Sequence, residues 1–151
     1  MLQNTNGIVL RAVKYGDSSL VVTMFTSIYG VQAYMVQGVR SARSKQNKAA
    51  AFQPGTILDL VVYHQPQKEL QRIREFRPAY IYNTVQESVV KNSILLFSVE
   101  LLLRLLPEHA PLPVLYDTAQ EYFITLDKAK LEDTANYPLF FIVQCSRILG
   151  Y

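Results

Sequence analysis

The chain has no tryptophan, two histidines and a single cysteine among its 151 residues, and each shortage excludes a class of chemistry. Cys145 has no second cysteine with which to form an intramolecular disulfide or begin a zinc framework, so a reducing cytoplasm is the compartment this usage implies. His64 and His109 lie far apart in the chain. No Gly-x-Ser-x-Gly, Walker A or Gly-x-Gly-x-x-Gly motif occurs, and the six glycines are dispersed as turn punctuation. With no nucleophile beside a base and no phosphate-cradling loop, the expectation is a protein that is not an enzyme and needs no cofactor or metal. Both histidines are expected to be solvated, and Cys145 to be a small core residue.

Long apolar runs are also missing. The richest, residues 94–106, is interrupted by Ser98, Glu100 and Arg104 and falls short of the roughly 20 residues a membrane span needs. The N-terminal residues lack a basic segment followed by an apolar one, so they do not read as a signal peptide, and no membrane partner is expected.

Half of the residues are apolar and 18% are charged, a composition that folds. The charge is divided unevenly. Residues 1–80 carry ten basic and four acidic groups, whereas residues 81–151 carry five and eight. Two units with different partners follow, one at 1–80 and one at 81–151.

In the first unit the apolar residues come in short β-branched or aromatic runs closed by turn residues. Five strands are predicted, over 8–15, 20–26, 31–38, 56–64 and 70–80. Leu58, Leu60 and Val62 alternate with Asp59 and Tyr63, a period of two. The second run, apolar on both faces, reads as a central strand. Leu70, Ile73 and Phe76 are spaced by three, which a β-bulge reconciles with one buried face. Gly16 and Gly30 sit where hairpins need positive φ. Five short strands are buried best by a small closed barrel, an OB-fold, rather than a sandwich.

Between the third and fourth runs, residues 39–55 are too polar for a strand and carry Arg40, Arg43, Lys45 and Lys48 with no acid. One helical turn is expected at Ala49-Ala50-Ala51. Phosphate backbones need several cations within a Debye length, and a loop on a barrel presents them unburied. Arg11 and Lys14 on the first strand, with Arg72, Arg74 and Arg77 on the fifth, extend that field. A solubilising loop is the plainer alternative; four cations in nine residues on the predicted OB barrel favour nucleic acid. Tyr15, Tyr29, Tyr34 and Tyr63 are stacking candidates for single strands, each equally suited to barrel core or rim.

After Pro78 the pattern becomes helical. A first helix is predicted over 84–106, with Glu87–Lys91 and Glu100–Arg104 as i,i+4 pairs on its solvated edge. Pro111 and Pro113 open a second, whose Leu115, Ala119, Tyr122, Phe123 and Leu126 share a face. A third starts at Asn136 and closes at Gly150. The fold class is therefore α+β, a five-stranded OB barrel followed by an α-helical bundle. The third helix leaves apolar surface with little to cover it, so the natural protein is expected to continue.

The residues Gly7-Ile8-Val9-Leu10-Arg11, Tyr15-Gly16-Asp17-Ser18, Val22-Thr23-Met24-Phe25-Thr26 and Tyr29-Gly30 resemble the opening of the RecO recombination-mediator family. The likeness continues through residues 38–44, similar to that family's basic loop, and 52–56, similar to the entry of its fourth strand. Leu149-Gly150-Tyr151 resembles the family's helix-closing triplet. The resemblance implies an N-terminal OB-fold that binds single- and double-stranded DNA, a helical domain, and a role in DNA repair and homologous recombination. It further implies strand annealing, and loading of RecA with RecR and the C-terminal tail of single-stranded-DNA-binding protein. It places more helix and, in many members, a cysteine-ligated zinc site beyond the glycine-tyrosine. Gln37 stands where a lysine is common and Ser19 where a charge is usual, which lowers the expected DNA affinity. The other class left open is a non-catalytic adaptor whose barrel docks an acidic protein.

Overall fold

The computed structural model describes residues 1–38 and 48–151. Arg40, Arg43 and Lys45 lie outside the described residues, and of Lys48 only the backbone is described. Five strands form a closed barrel: β1 (Leu2–Tyr15), β2 (Ser19–Thr26), β3 (Gly30–Val36), β4 (Ile57–Tyr63) and β5 (Leu70–Tyr80), in the order β1-β2-β3-β5-β4. All pairs are antiparallel except β3 with β5. This is the OB-fold that the strand pattern predicts. One 3-10 turn at Lys48–Phe52 precedes β4, where the alanines placed a helical turn.

Strand alternation divides the apolar residues between two cores. Val9, Val22, Met24, Tyr34, Leu58, Leu60 and Val62 point into the barrel. Ile8, Leu10, Phe25, Val31 and Ile57 lie on the outer face, where they pack with the helices. The bulge expected in β5 is present: Val61 faces Glu75 and Val62 faces Ile73, so Arg74 is the extra residue, and Ile73 and Phe76 both reach the barrel core. Leu70 does not share that face. It pairs with Ala33 of β3 on the outside and is 40% exposed.

Three helices follow: α1 (Val89–Leu105), α2 (Pro113–Lys128) and α3 (Tyr137–Leu149). Pro113 occupies the first turn of α2, where its missing N–H costs nothing, and Gly150 closes α3 at φ 87°. All five residues predicted for the inner face of α2 are buried. On α3, Phe141 and Cys145 are buried while Phe140 and Val143 are exposed. The chain between α1 and α2 is fastened to the barrel, with the His109 N–H donating to the Val31 carbonyl at 3.0 Å. Gly30 permits that approach: at φ 70°, a Cβ there would sit 2.1 Å from the Ala110 carbonyl oxygen.

α1 starts five residues later than its spacing suggests, capped by Ser88, whose Oγ accepts from the Lys91 N–H. Thr84 and its neighbours have other partners. The buried Asp127 carboxylate accepts from the amides of Asn83, Thr84 and Val85 at 2.8 to 3.1 Å and from the Tyr80 hydroxyl at 2.6 Å. Lys91, only 4% exposed, donates to Thr84 Oγ1, the Asp127 carbonyl and the Ala129 carbonyl. Its ammonium thus satisfies backbone oxygens at the C-terminus of α2, where a positive charge is favoured. The expected Glu87–Lys91 surface pair is absent because Glu87 precedes the helix, so the two residues are not one turn apart on it. Glu100 and Arg104 do pair, at 3.0 Å.

Candidate nucleic-acid interface

Register determines which cations meet. Around one end of the barrel runs an outward row, Val13–Val21–Met35–Arg72–Tyr63–Leu2, set by successive cross-strand partners. The adjacent outward row is Arg11–Thr23–Ala33–Leu70. Lys14 falls on the opposite parity, level with Leu20 and Val36 at the barrel mouth, and is exposed because β1 projects past the core there. Arg11, Arg72 and Arg74 are exposed as well.

Three adjoining depressions cross the β3–β5–β4 edge. The first, about 320 Å³, is lined by Val36, Gln37, Tyr63, Arg72 and Arg74 among others. The second, also about 320 Å³, shares Tyr63 and Arg72 with it and adds Lys68 and Leu70. A third of about 300 Å³ shares Lys68 and Gln71 with the second and reaches Tyr29, His64 and His109. Among the described residues, Glu69 is the only acid lining any of the three. The chain enters residues 39–47 from Gly38, immediately after Gln37 on the wall of the first.

Lys68 was not singled out from the sequence, where Glu69 beside it makes the hairpin look neutral. The structure fixes its position through Gln71, which is buried. Gln71 Nε2 donates to the carbonyls of Gln65 and Lys68, both at 2.7 Å, and its Oε1 accepts from the Gln65 amide at 2.9 Å. That clasp holds the turn before β5 in one conformation with Lys68 at the rim.

Of the four tyrosines considered for stacking, Tyr34 is wholly buried inside the barrel and is excluded. Tyr15 and Tyr63 are 59% and 39% exposed. Tyr29 lies flat on His64, ring centroids 3.6 Å apart and planes 9° apart. His64 is therefore not simply solvated: burial and then the N-terminal amine lower its pKa, so it is neutral near pH 7. His109 is exposed, as expected of a loop residue. Arg77 is engaged elsewhere, 3.6 Å from Asp59.

The helical half offers a different surface. A cavity of about 780 Å³ between α2 and α3 is lined by Tyr122, Tyr137, Phe140 and Phe141, with Asp117, Glu121 and Asp133 and, among the described residues, no lysine or arginine. Such a lining repels phosphate. Cys145 is buried and burial pushes its thiol up to about 11, so it is a core residue and a poor nucleophile. No helix among the described residues is long and apolar enough to cross a membrane.

Comparisons with known proteins divide the chain at the same place as its architecture. The family model for the Recombination protein O N terminal matches residues 1–82, and that for the Recombination protein O C terminal matches residues 86–151. Curated relatives bearing the name DNA repair protein RecO include one from Bacteroides fragilis, 33% identical over 99% of this chain. Those from Flavobacterium psychrophilum and Salinibacter ruber are 29% and 30% identical over 97% of it. The chain spans about three-fifths of the length of these relatives: 61%, 61% and 55%.

Proposed function

The chain belongs to the RecO family, and on that premise we propose that it binds single- and double-stranded DNA along the barrel groove and speeds the pairing of complementary strands. The observation that carries this reading is the line of three depressions with Arg74, Arg72 and Lys68 along it, beginning where the chain enters the basic residues 39–47. Arg11 and Lys14 widen the same field. The ligand class follows from the lining: several cations, one acid, exposed Tyr63, and no set of hydrogen-bonding side chains arranged to read base edges.

The mechanism requires no covalent step. Two complementary single strands repel through their phosphates, and cations held within about 8 Å, the Debye length at physiological salt, reduce that repulsion while leaving base edges free to pair. The protein acts as a DNA-binding module in repair and recombination rather than as an enzyme, and works in the cytoplasm. It acts with RecR and single-stranded-DNA-binding protein to load RecA. The barrel, residues 1–80, holds DNA, and the helical unit, residues 81–151, meets proteins. An acidic tail finds exposed cations at Lys128 and Lys130 rather than in the acidic α2–α3 cavity, and Lys91 is buried and out of its reach.

Pairing of two complementary oligonucleotides carrying a fluorophore and a quencher tests the proposal. The 151-residue chain is expected to accelerate quenching at concentrations that saturate the DNA. An unchanged pairing rate under saturation contradicts it.

A further inference from the structure

The third depression contains polar atoms that the groove's electrostatics does not use. Gln32 is 96% buried on β3, its Nε2 donates to the Tyr29 carbonyl at 3.0 Å, and its Oε1 has no partner among the described residues. The amide cannot be turned to remove the anomaly, because a carbonyl oxygen only accepts and therefore holds the NH₂ end. His64 Nδ1 is likewise buried without a partner, and both side chains line the same cavity. Buried polar atoms of this kind are costly to leave unsatisfied, and a native fold normally supplies their partner.

We propose that this cavity receives one unstacked nucleobase of a bound single strand. The proposal rests on the DNA reading above and specifies one subsite within it. Three properties select the ligand. The Tyr29–His64 pair gives the cavity an aromatic wall, which suits a planar ring. The carbonyl oxygen of Gln32 asks for an N–H donor, which the edges of all four bases offer and a sugar or phosphate does not. Lys68 stands on the rim shared with the depression that contains Arg72, so a backbone held by those cations passes the opening. His64, neutral near pH 7, adds an uncharged ring to the same lining, with no charge that would favour phosphate over base. Recognition of this kind tolerates any sequence, since stacking is open to every base and a single acceptor does not distinguish them.

The experiment compares a ten-residue deoxycytidine strand with an abasic strand of equal length and equal phosphate count, using the intact chain. Affinity is followed by anisotropy and the two imidazoles by proton NMR. The deoxycytidine strand is expected to bind about tenfold more tightly and to shift the His64 ring signals, which the abasic strand leaves in place. In His64→Ala, and separately in Gln32→Leu, the advantage of the base-bearing strand shrinks while the abasic affinity stays as it was. The NMR comparison needs only the unsubstituted protein, so it stands even if a variant folds poorly. Equal binding of both strands with unmoved His64 signals overturns the subsite and leaves the groove intact. Failure of both strands to bind overturns the DNA reading itself, and the subsite with it.

Discussion

Replacing Asp127 by alanine is expected to destabilise the fold by about 3–5 kcal/mol, because it strips the partner from several buried or half-buried donors at once. The carboxylate is the sole side-chain acceptor shown for the amides of Asn83, Thr84 and Val85, and it also accepts a hydrogen bond from the Tyr80 hydroxyl. These groups lie at the passage from β5 to α1, so one side chain of α2 ties barrel and helices together. A domain of this size translates the loss into a fall of roughly 6 to 20 °C in the unfolding midpoint. Asp127→Asn keeps one accepting oxygen but turns an NH₂ toward backbone donors, and is expected to fall between. Asp117→Ala, on the exposed side of the same helix, should change stability by less than about 0.5 kcal/mol. Thermal unfolding followed by circular dichroism measures all three, and an Asp127→Ala midpoint within 2 °C of the parent contradicts the account.

The same site sets an acid limit. Burial raises the pKa of Asp127, but the hydrogen bonds from Tyr80, Asn83, Thr84 and Val85 outweigh it and bring the value down from 3.8 to about 2. A depressed folded-state pKa contributes stability that is fully present above the unfolded value and lost as pH falls through the folded one. The contribution is therefore complete above about pH 4 and disappears toward pH 2. The midpoint difference between the parent and Asp127→Asn should narrow over that interval.

The second large effect concerns binding. Replacing Arg72 and Arg74 by alanine removes two cations from the groove, and counterion release then predicts a loss of about tenfold in single-strand affinity near 0.15 M salt, the same for every sequence. Both side chains are exposed and lack ion pairs among the described residues, so the unfolding midpoint should hardly move. Replacing Arg77 and Asp59 together, a pair away from the groove, is the matched control. Anisotropy titrations on two unrelated sequences decide the matter. Unchanged affinity removes the β5 arginines from the interface.

Much of this architecture was legible because local patterning carries it. Short β-branched or aromatic runs closed by turn residues define β2 to β5, and the face of α2 follows from its apolar spacing. β1 begins six residues before its apolar run because Gln3, Asn4 and Thr5 carry no hydrophobic alternation. They are strand because β4 pairs with them, and Thr5 is buried against the Ser27 hydroxyl at 3.1 Å. Lys91 misled for a related reason: a charge four residues from an opposite charge looks like a solvated helix edge, yet two of its three acceptors are carbonyls at the C-terminal end of α2, far along the chain. Asp127 did leave a trace, since an acid in the last turn of a helix opposes the dipole and so needs partners from elsewhere. Of the groove, Arg72, Arg74 and Tyr63 were legible as separate candidates, but their alignment with Lys68 was not. That alignment depends on the parallel pairing of β3 with β5 and on the hairpin clasped by Gln71, neither of which any single segment encodes.

On the proposed reading phosphates, not a protein surface, occupy the basic side of the barrel. The most direct test of that reading is the salt dependence of DNA affinity. If Arg40, Arg43, Lys45 and Lys48 each neutralise a phosphate with one more from Arg11 or Lys14, log K against log salt should fall with a slope near −3.5 for single strands and about −4.5 for duplex. The groove cations Lys68, Arg72 and Arg74 can only steepen those values. Replacing Arg43 and Lys45 by alanine should flatten the single-strand slope by about 1.4 with little change in stability. Affinity that is indifferent to salt, or a slope that survives the loss of these cations, would contradict the account and favour a barrel that docks a protein.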